Sequence, residues 1–155
     1  YNFDIADDHL PTKIEDKLYL GGISYINDGF FDKIDTVISI IESTQLEFLT
    51  RQHNLKGKKH LHIPISDTMS ADILSHLNSV IELIEQSHLE GKTVYVHCAA
   101  GISRSSTCVI AYIMKKYGKT FQEAHEIVKE KRKIISPNLN FIGSLCIFEK
   151  WLMGH

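Results

Sequence analysis

Between Thr93 and Tyr117 the chain changes period, and that change limits the folds open to it. Thr93 to His97 is a short apolar, β-branched run, and Cys98 to Ser103 is small and rich in Gly, Ala and Ser. From Arg104 onward, Val109, Ile110, Ile113, Met114 and Tyr117 recur three and four apart. The pattern predicts a strand, a tight loop, and a helix with one apolar stripe on the core. A loop so placed lies at a helix N-terminus, where unpaired N–H groups and the positive end of the helix dipole suit a small dianion.

The same donors favour a thiolate, so Cys98 is a candidate nucleophile. Arg104 follows it by six positions, close enough for a tight loop to fold the guanidinium over the bound anion and offer two parallel donors. Elsewhere strands and helices alternate. Leu18 to Leu20 reads as a strand ending in Gly21-Gly22, Ser24 to Phe31 as a short helix, and Thr36 to Ile41 as a strand buried on both faces. Glu42 to Gln52 reads as helical. His60 to Ile65 alternates as a strand, a polar loop from Ser66 to Asp72 follows, and Ile73, Leu74, Leu77, Val80, Ile81 and Ile84 mark a helix. Thr120 to Glu123 spells a capping box for a helix with Ala124, Ile127 and Val128 inward, followed by Lys129 to Lys133 as cations complementing its dipole. Ser136-Pro137 reads as the start of a last helix with Phe141, Leu145, Phe148 and Leu152 inward. The expected fold is α/β: a single domain with a central, mostly parallel sheet flanked by helices on both faces, the phosphate-binding loop joining a central strand to a helix. Residues 1–17 are expected to form an acidic N-terminal arm, with the domain over 18–155.

His97-Cys98-x-x-Gly101-x-Ser103-Arg104-Ser105 resembles the signature of the cysteine-dependent protein phosphatases. Leu18-Tyr19-Leu20-Gly21, Ala111-Tyr112-Ile113-Met114 and Ser136-Pro137-Asn138 are similar to landmarks of the dual-specificity branch. The resemblance spans about Ile14 to Trp151, and implies a phosphate cup made by His97, Ala99, Ala100, Gly101, Ile102, Ser103 and Arg104. It implies attack by Cys98 through a cysteinyl-phosphate, hydrolysing phosphotyrosine and phosphoserine or phosphothreonine. Asp67, on the loop leaving a neighbouring strand, matches the family's general acid and base. Asp72, in the first turn of the next helix, has a structural use instead. Ser105 is implied to donate to the Cys98 sulfur, His97 to fix loop geometry, and Asn138 to brace the loop. No cofactor or metal is needed. Ala99 and Ala100 replace the lysines that phosphoinositide phosphatases of this superfamily carry in the loop. The runs Ile102 to Ser105 and Ser136 to Leu139 look most like the mitogen-activated protein kinase phosphatases, which implies a phosphorylated protein, such as such a kinase, as partner.

Composition narrows the alternatives. A net charge of -2 over 155 residues gives no overall field to recruit nucleic acid or an acidic membrane. Three cysteines with no C-x-x-C pair suit a reducing compartment, so the expected location is cytoplasmic, with the nucleus also open. Cys108 and Cys146 are expected in the core. No apolar run reaches membrane-spanning length, and no signal or lipidation segment is visible. His60-x-His62 invites a metal reading but lacks a third ligand. A binding module that has lost its chemistry, or a sulfur-transfer enzyme, are the rival classes; the first is usually marked by loss of Cys or Arg, and Cys98, Arg104 and Asp67 are all present.

Overall fold

The computed structural model describes residues 8–154. Strands β1 (Thr12–Glu15), β2 (Leu18–Gly21), β3 (Thr36–Ile40), β4 (Lys59–Ile63) and β5 (Val94–His97) form one sheet in the order β1-β2-β5-β3-β4. Every pairing is parallel except that of β1 with β2, so the mostly parallel sheet expected from the alternation is what forms.

The arm expected over residues 1–17 is in part a strand. Thr12–Glu15 runs antiparallel to β2 across an Asp16-Lys17 turn, with Lys17 at φ 63°. Ile14 alone in this edge strand is buried, which leaves too little alternation for a β pattern to show. The rest of that expected arm, residues 1–7, lies outside the described residues.

Side-chain alternation gives the two faces of the sheet different partners. Leu18, Leu20, Ile38, Ile40, Val94 and Val96 share one core with the helices α3 (Leu77–Leu89), α4 (Arg104–Tyr117), α5 (Phe121–Lys131) and α6 (Leu139–Met153). Val37 and Tyr95 face the other way and pack with Phe31 of α1 (Asp28–Asp32) and with Ile34. Helix α2 (Ser43–Gln52) follows β3, and a single 3-10 turn at Leu74–His76 leads into α3.

Helix α4 departs from its expected single stripe. It is buried on every side from Arg104 to Met114, because α3, α5, α6 and the sheet all pack on it; Tyr117 is 48% exposed. Gly118, at φ 64°, ends it in the left-handed geometry that glycine favours. The Thr120 capping box opens α5 as predicted. Helix α6 starts later than expected: Asn138 caps it, its Oδ1 accepting from Phe141 N at 2.9 Å. Ser136 lies outside the helix, whose first residue is Leu139, and Ser136 N donates to Ile102 O, so that segment serves the Cys98 loop instead. Cys108 is buried in α4, but Cys146 is exposed, since it lies on α6 one step round from the inward row of Phe141, Leu145 and Phe148.

His97 closes β5 in a fully buried position, its ring stacked on Tyr95 at 5.4 Å between centroids. His97 Nδ1 lies 3.1 Å from Cys98 O, so this nitrogen carries the proton and Nε2 accepts from Ser39 Oγ at 2.6 Å. Ser39 Oγ in turn accepts from His60 Nε2 at 2.8 Å. Burial, above all, pushes the His97 imidazolium pKa down from 6.5 to about 4. The unfolded chain therefore takes up a proton that the native chain refuses, and stability is lost as pH falls from about 6.5 towards 4, by about 3 kcal/mol in full. Urea midpoints recorded across that window should fall less steeply for His97→Asn than for the native chain; parallel slopes would show that His97 is not the linked group.

Candidate active site

Cys98 follows the carboxyl end of β5, a central strand between β2 and β3, where parallel sheets open a crevice for ligands. From Cys98 to Ser103 the backbone turns so that each carbonyl is tethered from outside the loop. Cys98 O meets His97 Nδ1 at 3.1 Å, and Ala99 O accepts from Ile23 N at 3.0 Å. Ala100 O and Gly101 O accept from the Arg132 guanidinium at 3.2 and 2.8 Å. Ile102 O accepts from Ser136 N at 2.8 Å, and Ser103 O from Thr107 N at 3.0 Å. In a planar trans peptide the N–H points opposite to the C=O, so tethering these carbonyls outward turns the following amides inward. Gly101 N donates to Cys98 Sγ at 3.3 Å. Among the described residues, the N–H groups of Ala99, Ala100, Ile102 and Ser103 have no acceptor.

The tight approach of the loop to β2 requires two glycines. A Cβ on Gly22 would come within 2.5 Å of Ala99 O, and Gly101, at φ 69°, would bring one within 2.5 Å of the Gly21 carbonyl carbon. Beneath the loop, Tyr95 donates its hydroxyl to Gly22 O at 2.6 Å.

The structure brings the predicted residues together around this cup. Ser105 Oγ lies 3.1 Å from Cys98 Sγ. Arg104 is buried; its Nη1 donates to Ile65 O at 2.9 Å and lies 3.7 Å from Glu42 Oε1, while its Nε has no partner among the described residues. A buried guanidinium held by one nitrogen has the geometry to offer two parallel donors to an oxyanion. Asp67 is exposed on the loop after β4. Its Oδ1 accepts from Ser103 Oγ and from Asn138 Nδ2, both at 2.8 Å. Asn138 N also donates to Ser103 Oγ at 3.1 Å, so the Asp67 loop, the Cys98 loop and the start of α6 are joined at one point. Asp72 is used otherwise: hydrogen bonds from Ser75 hold its carboxyl below the usual carboxylate range, and it is fully exposed. His60 and His62 bond Ser39 Oγ and Ile41 O respectively.

Three contributors, Arg132, Glu42 and Ser39, escaped the sequence reading, as did one contact of the expected loop residue Ser103. Arg132 sits in the Lys129 to Lys133 run, whose charge fits the helix dipole and hides one side chain that turns inward. Ser103 is expected as part of the phosphate cup; its hydroxyl bond to Asp67 is not. Glu42 and Ser39 belong to unremarkable polar positions, brought to Arg104 and His97 by the parallel register of β3.

Comparison with known proteins agrees with this architecture. The family model for the dual specificity phosphatase catalytic domain matches residues 18–151. The chain is 46% identical over 146 residues to the putative tyrosine phosphatase 123R of Invertebrate iridescent virus 6, covering 92% of this chain and 94% of that one. It is 45% identical over 144 residues to human dual specificity protein phosphatase 1, covering 93% of this chain and only 38% of that protein. Among solved structures, the human tyrosine phosphatase-like serine/threonine/tyrosine-interacting protein superposes with a TM-score of 0.85 at 29% identity, covering 94% of this chain and 99% of that one. The chain thus belongs to the dual-specificity protein phosphatases, with the family's catalytic domain over residues 18–151.

Proposed function

We propose that the chain hydrolyses phosphomonoesters of tyrosine and of serine or threonine in proteins, through a cysteinyl-phosphate on Cys98. The inward-facing amides around Cys98 Sγ, with the unpartnered Nε of Arg104 beside them, carry this reading. They are donors fixed in advance where the equatorial oxygens of a phosphoryl group need neutralising. Cys98 Sγ attacks phosphorus, the S–P bond forms as the ester P–O bond breaks, and Asp67 gives its proton to the departing oxygen. In the second step the Asp67 carboxylate takes a proton from water, water oxygen bonds to phosphorus, and the S–P bond breaks. The Ser105 hydroxyl supports the departing thiolate. Ser103 and Asn138 hold one Asp67 oxygen, leaving the other for the proton in flight.

Single-turnover hydrolysis of an activated aryl phosphate tests the scheme. Cys98→Ser should abolish turnover and the burst. Asp67→Asn should lower kcat by about 10²- to 10⁴-fold on a substrate with a poor leaving group, and less as the leaving group improves. A native chain that binds phosphate yet shows no turnover would overturn the hydrolase reading in favour of a phosphate-binding module.

The substrate class we propose is a kinase activation segment carrying more than one phosphate, as the resemblance to the mitogen-activated protein kinase phosphatases implies. Met69 and Leu139, 63% and 74% exposed, flank the Asp67 loop and Asn138, so the rim of the site offers apolar contact to residues beside the phosphate. Incubation with a doubly phosphorylated mitogen-activated protein kinase should remove both phosphates; a kinase left untouched while short phosphopeptides are cleaved would exclude that substrate. A working thiolate also requires a reducing compartment, and imaging of the tagged protein in its own cells should place it in the cytoplasm, the nucleus or both.

A further inference from the structure

We propose that Arg132 is a positioning residue for the Cys98 loop, its guanidinium fixing two successive peptide units so that their amides face the phosphate. The proposal rests on the reading of that loop as the phosphate site. Arg132 is 2% exposed, and no carboxylate oxygen lies within ion-pair distance of its guanidinium among the described residues. Its donors go to backbone and hydroxyl oxygens instead. Nε donates to Gly101 O at 2.8 Å and Nη2 to Ala100 O at 3.2 Å, while Nη1 reaches Leu10 O at 2.6 Å and Thr12 Oγ1 at 2.9 Å. The peptide unit whose carbonyl is Ala100 O has Gly101 N as its amide, and that amide donates to Cys98 Sγ. The next unit, held at Gly101 O, turns the Ile102 amide to the same side. One rigid fork therefore orients two donors, which a single-headed ammonium could not do.

Electrostatics act in the same sense. A buried cation with no carboxylate in ion-pair range among the described residues is costly to fold around unless a negative charge answers it. Burial lowers the Arg132 pKa, and Tyr95, then Cys98 and Asp8, act against that shift. The charge thus lies behind the cup and attracts whatever anion the cup holds, thiolate or phosphate. Packing leaves little freedom: a Cβ at Gly101 would come within 2.7 Å of Arg132 Nη2. Through Nη1 the same side chain ties the loop to the residues entering β1.

Arg132→Lys and Arg132→Gln, in a Cys146→Ser background that removes the exposed thiol, test the assignment, with Lys131→Gln as the neighbouring surface control. Expected for Arg132→Gln is a fall in kcat/KM of about 10²- to 10³-fold on an aryl phosphate, as for loss of a preorganised donor. Inhibition by inorganic phosphate should weaken about tenfold and iodoacetate alkylation of Cys98 at mildly acidic pH should slow, with circular dichroism unchanged. Arg132→Lys keeps the charge and loses the fork, so it should recover alkylation more fully than kcat; Lys131→Gln should behave as the parent. Folded variants with native phosphate inhibition and native alkylation, whatever their melting temperature, overturn the proposal. If Arg132→Gln does not fold, Arg132→Lys decides on the same readouts, and failure of both to fold overturns it in favour of a purely structural arginine. A parent chain that neither hydrolyses the ester nor binds phosphate overturns the reading of the loop, and this proposal with it.

Discussion

Peptide planarity is the constraint on which this structure turns. A carbonyl anchored on one side of a rigid unit commits its N–H to the other, and from Cys98 to Ser103 the anchors are all external. They come from far apart in the chain: Ile23 after β2, His97 at the end of β5, Arg132 after α5, Ser136 before α6. Each anchor satisfies a carbonyl that burial would otherwise penalise. The interactions that stabilise the loop are therefore the ones that aim its donors, and folding and the proposed anion recognition draw on the same hydrogen bonds.

The sheet order explains how those anchors reach one place. With β5 between β2 and β3, the Gly21-Gly22 turn and the Ser39 hydroxyl flank the strand end from opposite sides, and β4 delivers Asp67 one strand further out. Helix α4, buried all round, fixes the far end of the loop and brings Arg104 with it. Helix α6 then closes the assembly through Asn138, whose amide side chain holds both the Asp67 carboxylate and the Thr68 carbonyl. The proposed proton donor stays exposed, yet its orientation is set by two buried or half-buried neighbours.

Elements with strong periodicity were legible in the sequence: the buried strands β3 and β5, the helices α3 to α5, the capping box at Thr120. The Cys98 to Arg104 spacing marked the loop at the N-terminus of α4 as the candidate cup, and the fold places both residues there. What was not legible depended on tertiary direction. Charge at Lys129 to Lys133 looks uniform along the chain, and only the fold shows that Arg132 alone points inward. Thr12–Glu15 becomes a strand because an edge next to β2 was open to it, with one apolar residue as its local signal. Asn138 takes the cap expected at Ser136 because the helix begins only at Leu139; the Ser136 segment is held against the loop at Ile102 O, a long-range contact that no local motif encodes. Cys146 looked like core by composition and lies on the outer side of α6 by phase.

Much of the grip proposed for the anion is main chain. The amides of Ala99, Ala100, Ile102 and Ser103 do not depend on what side chain stands at position 98, nor do the tethers that aim them. Chemistry and recognition are therefore separable in descent. Under the proposed scheme, one codon change at Cys98 would silence the reaction and leave the loop amides and their tethers in place, so a lineage built on this scaffold could pass from eraser to adaptor without first having to rebuild a site.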